Sequence, residues 1–127
     1  MNRLVVLLFA VVSLTSACSD NTTSPTATTT ETFSGTLAQN SQNSYQFTDT
    51  GTGTVTVTAT TVTPQLAVGL GIGTPTGSTC TANTESSVQQ AGSVTATLSA
   101  AGTFCALVYD PGGLAQAVNY VITVTHP

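Results

Sequence analysis

A strict alternation of threonine with small apolar residues, Gly53-Thr-Val-Thr-Val-Thr-Ala-Thr60, restricts the fold of this chain more than any other feature. Successive side chains of a β-strand point to opposite faces of its sheet, so a period of two predicts one dry face and one wet face. Val55, Val57 and Ala59 are expected to line a core. The β-branched threonines favour strands and would form a ladder on the solvent side: Thr54, Thr56, Thr58 and Thr60.

The same period of two recurs in the segments 45–47, 66–72, 94–98 and 118–124, and residues 103–109 form a nearly continuous apolar run. Such a run is typical of a strand buried on both faces. Turns rich in glycine and proline separate these segments, and Asp110 before Pro-Gly is predicted to cap one of them. We therefore predict an all-β fold, an antiparallel and jelly-roll-like β-sandwich of about seven or eight strands.

The N-terminus reads as an export signal. A short basic start is followed by the apolar run Leu4–Leu14, which is too short to span a bilayer as a helix. The sequence LTSAC that ends this region resembles the lipobox of bacterial lipoproteins, although the family prefers leucine where Thr15 stands. The resemblance implies a signal peptide over residues 1–17 and a diacylated Cys18 as the mature N-terminus. Ordinary cleavage after Ala17 would instead release a secreted soluble protein.

Residues 18–30 are rich in threonine and serine and contain no large apolar side chain. Such a segment buries too little apolar surface to offset the entropy of ordering, which predicts a solvated tether. The alternative is an additional N-terminal strand, which the threonines would permit. We expect one domain over residues 31–127.

Three cysteines in an exported protein leave one unpaired after a single disulfide. Acylation of Cys18 would account for one, so Cys80 and Cys105 are predicted to pair in an oxidising compartment. Closing that loop would stabilise the fold by roughly 3 kcal/mol.

The charge balance excludes several classes of partner. Arg3 is the only lysine or arginine, so the mature chain has no such cation with which to neutralise phosphates. Nucleic acids, nucleotides and anionic membrane surfaces are therefore poor partners. Attachment to the lipid bilayer would have to come from the acyl chains on Cys18.

Gly69, Gly71 and Gly73 alternate with apolar residues and raise the question of a phosphate-binding loop. Their spacing does not match a dinucleotide fingerprint, and the chain has no lysine for a phosphate loop. We predict a strand whose glycine face serves either close approach of neighbouring backbone or a flat docking patch. The glycines and the threonine ladder are thus the candidate binding surfaces.

Nothing in the sequence predicts catalytic residues, a metal site or a cofactor. His126 is the only histidine and stands next to Pro127, where a chain usually frays. The carboxylates are scattered singly and lack the oxygen-rich spacing that calcium needs: Glu31, Asp49, Glu85 and Asp110. The tyrosines could form a sugar-stacking platform or lie in strands with the hydroxyl at the rim: Tyr45, Tyr109 and Tyr120.

Four segments together resemble the bacterial pre-peptidase C-terminal type of β-sandwich: FSGTLAQNSQNSYQF, AVGLGIGTPTGSTC, AGTFCALVYDPG and VNYVITVTHP. Modules of this family are non-catalytic accessories, and some bind calcium, collagen or polysaccharide. The resemblance implies a cell-envelope lipoprotein, at the outer membrane or cell surface, that serves binding, adhesion or envelope organisation. The alternative is a secreted accessory module that binds a glycan or a protein for a separately encoded hydrolase.

Overall fold

Eight β-strands make up the folded part of the chain. The computed structural model describes residues 27–127. The strands are β1 (Thr29–Leu37), β2 (Gln42–Asp49), β3 (Gly53–Thr63), β4 (Val68–Thr76), β5 (Thr79–Val88), β6 (Ser93–Leu98), β7 (Gly102–Tyr109) and β8 (Val118–His126). The predicted signal peptide, Cys18 and all but the last four residues of the predicted tether lie outside the described residues.

The strands form two antiparallel sheets of four, which confirms the predicted all-β sandwich. The front sheet has the order β1-β8-β3-β6, and the back sheet has the order β2-β7-β4-β5. Only β4 and β5 are neighbours both in sequence and in a sheet, so every other pairing joins strands that are distant along the chain. Among residues 27–127 there is no helix suited to crossing a membrane.

The core lies between the two sheets and follows the period of two. In β3, Val55, Val57 and Ala59 are fully buried, as the alternation predicts. The β8 side chains Tyr120, Ile122 and Val124 face the same interior. The back sheet covers them with buried residues of β2, β4 and β7: Phe47, Val68, Leu70, Ile72, Ala106 and Val108.

Strand β1 begins two residues before the predicted domain boundary at Glu31. Thr29 pairs with His126 and Thr30 pairs with Thr125 at the end of β8. Their backbone groups are satisfied by a strand nearly a hundred residues away, whereas the local composition alone indicates a tether. The alternative of an N-terminal strand therefore applies to Thr29 and Thr30.

Candidate functional site

The outer face of the front sheet is lined with small hydroxyl and amide side chains. The pairing of β8 with β1 and β3 places Thr30, Thr125 and Thr56 in one row, and Thr95 of β6 continues it. The next row contains Thr32, Thr123, Thr58 and Ser93. Because paired strands lie about 4.8 Å apart, the rows form a regular two-dimensional array. We call this surface the threonine face.

The threonine face is uncharged. Its further members are Ser34, Thr36, Thr54, Thr61, Thr63, Thr97, Asn119 and Val121. Thr30 and Thr125 share a hydrogen bond of 3.0 Å between their hydroxyls, and the Thr36 hydroxyl donates to the Asn119 side chain at 2.8 Å. The sequence signal for this surface was visible in β3 alone. Its extension over four strands follows from the sheet order.

Thr60 does not continue the ladder that the alternation predicted. The register of β3 against β8 shifts between Ala59 and Thr61, so Thr60 lies in a β-bulge without a paired residue in β8. Its hydroxyl donates to the Val121 carbonyl at 3.0 Å. Thr61 instead pairs with Val121, and Val62 returns to the core.

The glycines of β4 are buried, and the predicted docking patch is therefore wrong. The ring of Tyr109 lies over Gly69. A Cβ atom on Gly71 would lie 3.0 Å from that of Ala82 and 3.3 Å from that of Leu107. The Thr81 carbonyl occupies the corresponding space above Gly73. These glycines instead permit the close approach of neighbouring groups, which is the other interpretation of the three alternating glycines.

The end of the β4–β5 hairpin folds across the outer face of the back sheet. β4 lies between β5 and β7 in the sheet order, yet a disulfide joins Cys80 of β5 to Cys105 of β7 with their Cα atoms 5.8 Å apart. The register of β4 against β5 shifts between Ile72 and Gly73. Farther along, the Ser44 hydroxyl of β2 donates to the Ser78 carbonyl at 3.4 Å. The predicted Cys80–Cys105 disulfide is thus confirmed, and it holds this folded end in place.

The three tyrosines do not form a common platform. Tyr45 and Tyr120 join their hydroxyls by a hydrogen bond, and the Asn43 side chain donates to the Tyr120 hydroxyl at 2.8 Å. Burial, together with the hydrogen bond shared with Tyr45, raises the pKa of Tyr120. Tyr109 lies on the other face of the back sheet, where burial and the nearby Glu85 carboxylate raise its pKa. The rings serve packing at two separate places.

His126 is buried, which differs from the frayed end that its position predicted. It is 2% exposed, and its ring centroid lies 4.9 Å from that of Phe47. Its Nε2 atom lies 2.9 Å from a carboxylate oxygen of Glu31, and its Nδ1 atom lies 3.0 Å from the Pro127 oxygen. Packing against β1 and β2 therefore fixes the end of β8.

Asp110 caps its turn, as predicted, and also joins that turn to the β1–β2 turn. Its Oδ1 atom accepts hydrogen bonds from the backbone N–H groups of Gly112 and Leu114 at 2.9 and 3.2 Å. Its Oδ2 atom accepts one from Asn40, in the β1–β2 turn, at 2.8 Å. The bond from Asn40, with those from the glycine turn, lowers the pKa of Asp110.

Residues 27–127 enclose no pocket and bring no three His, Cys, Asp or Glu side chains together as a metal site. No protein-family model and no curated protein sequence matches the chain. The threonine face extends across all four strands of the front sheet, and it is the candidate functional site.

Replacing Gly73 with alanine is expected to lower the free energy of unfolding by about 3 kcal/mol, because the new methyl group would overlap the Thr81 backbone. Gly51→Ala is the matched control, since its Cβ would meet nothing within 4 Å, and should change stability by less than about 0.5 kcal/mol. Urea unfolding of both variants measures the difference. Equal stability of the two variants would contradict the packing role of the β4 glycines.

Asp110→Asn is expected to lower the melting temperature at neutral pH and to have a smaller effect in acid. The folded state holds the pKa of Asp110 below its unfolded value, so the carboxylate contributes stability above that unfolded value. The contribution is lost as pH falls through the folded pKa. Melting curves of both proteins from about pH 7 to about pH 2.5 test this. A difference that stays constant with pH would count against the capping carboxylate.

Proposed function

We propose that this protein is a non-catalytic lipoprotein of the bacterial cell envelope whose β-sandwich binds a neutral polysaccharide through the threonine face. In this proposal diacylated Cys18 anchors the chain in a lipid bilayer, at the outer membrane or cell surface. The segment before β1 holds the domain away from the membrane. We further propose that the domain is related to the pre-peptidase C-terminal type of sandwich, with which a two-sheet antiparallel fold is compatible.

The single observation that carries the binding proposal is the array of uncharged side chains across all four strands of the front sheet. Hydroxyl groups both donate and accept hydrogen bonds, and the threonine methyl groups add apolar contact. A neutral polymer that also carries hydroxyl groups could exchange hydrogen bonds with the threonine hydroxyls and contact the threonine methyl groups. A polyanion fits poorly, because residues 27–127 contain no lysine or arginine.

The absence of catalysis is supported by the environment of the only imidazole in the chain. General acid–base chemistry by histidine requires a ring nitrogen within reach of substrate. Both ring nitrogens of His126 already face protein oxygens, and the side chain is almost fully buried. The ring is therefore engaged in holding β8 to β1.

Cys18→Ser is expected to move the protein from the membrane fraction to the soluble fraction, because the acyl chains would be the only anchor. Detergent phase partitioning of cell extracts measures this, and Ala17→Gly, which keeps the cysteine and a small residue before it, is the control. Retention of the serine variant in the membrane would overturn the lipid anchor. Release of the unaltered protein into the medium would favour the secreted alternative.

The double substitution Thr56→Val and Thr58→Val is expected to weaken retention on insoluble polysaccharides by about tenfold. It removes two central hydroxyls and preserves β-branched shape, and the loss corresponds to roughly one hydrogen bond per site. Thr103→Val, on the exposed outer face of the back sheet, is the matched control and should bind normally. Pull-down on a panel of neutral glycans measures retention. Binding to collagen but to no glycan would replace the polysaccharide with a protein partner.

A further inference from the structure

Each sheet of the sandwich ends in two edge strands, whose outer backbone groups have no partner within that sheet. The edge strands are β1 and β6 of the front sheet and β2 and β5 of the back sheet. Folded proteins ordinarily protect such edges from pairing with another chain by means of charged side chains, prolines or β-bulges. The four edges of this domain differ in that protection.

Three of the edge strands carry a carboxylate. Glu31 belongs to β1, and Asp49 belongs to β2, where it is buried. β5 carries the exposed Glu85, and its register against β4 also shifts between Ile72 and Gly73. Two copies of any of these strands would bring two carboxylates into one pair of strands, and like charges between paired strands are destabilising.

Strand β6 lacks all of these protections. Ser93–Leu98 contains no charged residue and no proline. Its register against β3 runs without a shift from Leu98 opposite Gly53 to Ser93 opposite Thr58. Among the edge strands of residues 27–127, β6 is therefore the one that is open to pairing with another strand.

The backbone of β6 also points in the direction that such pairing requires. Ala59 of β3 donates its N–H group to the Gly92 carbonyl at 2.9 Å and accepts from the Ala91 N–H group at 2.7 Å. The direction of the backbone groups alternates along an antiparallel strand, so the core-facing residues of β6 bond to β3. The N–H and C=O groups of the remaining residues point away from the sheet: Ser93, Thr95 and Thr97.

We propose that β6 pairs with β6 of a second copy of this chain, antiparallel and about a two-fold axis through Thr95. Residues that stand opposite each other in an antiparallel pair point to the same side of the sheet, so the register has to place threonine-face residues opposite one another. With Thr95 opposite its counterpart, Ser93 stands opposite Thr97 of the second copy. All the outward-pointing residues then bond, which gives about six backbone hydrogen bonds between the copies.

The side chains of β6 are complementary to themselves in this register. On the outer side, threonine meets threonine at the axis, and such pairs stabilise antiparallel strands. On the inner side, Val94 of one copy would cover Ala96 of the other, which is only half-buried in the single chain. Because a two-fold contact uses the same surface twice, an uncharged strand of this kind suits a second copy of itself.

The pairing would join two four-stranded front sheets into one continuous sheet. The row that contains Thr30, Thr125, Thr56 and Thr95 would continue through the same residues of the second copy in reverse order. Both copies present this row on the same side, so the threonine face would double in width. The pairing itself does not depend on polysaccharide binding, whereas the use of the wider surface for binding rests on that proposed function.

Cysteine cross-linking in the full chain tests the pairing. A residue on the axis lies opposite itself, so a short bismaleimide reagent is expected to link Thr95→Cys into a species of twice the chain mass about tenfold more efficiently than Thr30→Cys. Thr30 lies in the same row on the opposite edge strand, which makes it the matched control. The unaltered protein gives the background from its own cysteines. Equal yields for the two variants, or linkage of Thr95→Cys to a different protein, overturn the proposal.

A charge at the axis provides an independent test. Thr95 is exposed on the outer face, so Thr95→Lys should fold, and thermal melting checks this. Two ammonium groups would then meet at the axis, and the dissociation constant of the dimer is expected to rise about tenfold. Sedimentation of the detergent-solubilised full chain measures this constant, and Thr30→Lys should associate as the unaltered protein does. Equal association of the two lysine variants, or an unaltered protein that sediments as a single chain, overturns the pairing.

Discussion

The pairing of β8 with β1 on one side and β3 on the other is the constraint on which the rest of this structure depends. The register of these three strands places the buried residues of β3 and β8 in one layer and their threonines in another. A slip by one residue would exchange the two faces and expose the core. The same register brings His126 to the beginning of β1. The core, the threonine face and the contact between His126 and Glu31 thus all depend on the register of these three strands.

The back sheet meets a different requirement, because part of its outer surface is covered by its own hairpin. Side chains on β4 would prevent the Tyr109 ring and the β5 backbone from lying against the strand, and glycine at three alternate positions removes them. The disulfide then joins strands that are not neighbours in the sheet. Part of the outer face of the back sheet is consequently covered by the protein itself, whereas the threonine face of the front sheet is left open.

Sequence patterns were informative wherever the determining contacts are local. Alternation identified the buried side of β3, and the apolar run predicted that β7 is covered on both faces. The turn cap by Asp110 was also predictable, since its contact with Gly112 spans two residues. The same reasoning failed for Thr60, because a bulge is set by pairing with β8 and leaves no mark in the alternation. It failed for His126 because the partner, Glu31, is 95 residues away.

By itself, the sequence determined that the chain forms strands, which residues of each strand face the core, and where the chain turns. These properties follow from side-chain alternation and from the backbone preferences of glycine and proline, which act over a few residues. Only the tertiary structure decided which strands are neighbours, that the threonines of four strands form one surface, and that the glycines lie beneath Tyr109 and the β5 backbone. Those outcomes depend on contacts between residues far apart in the chain, which the local pattern does not specify.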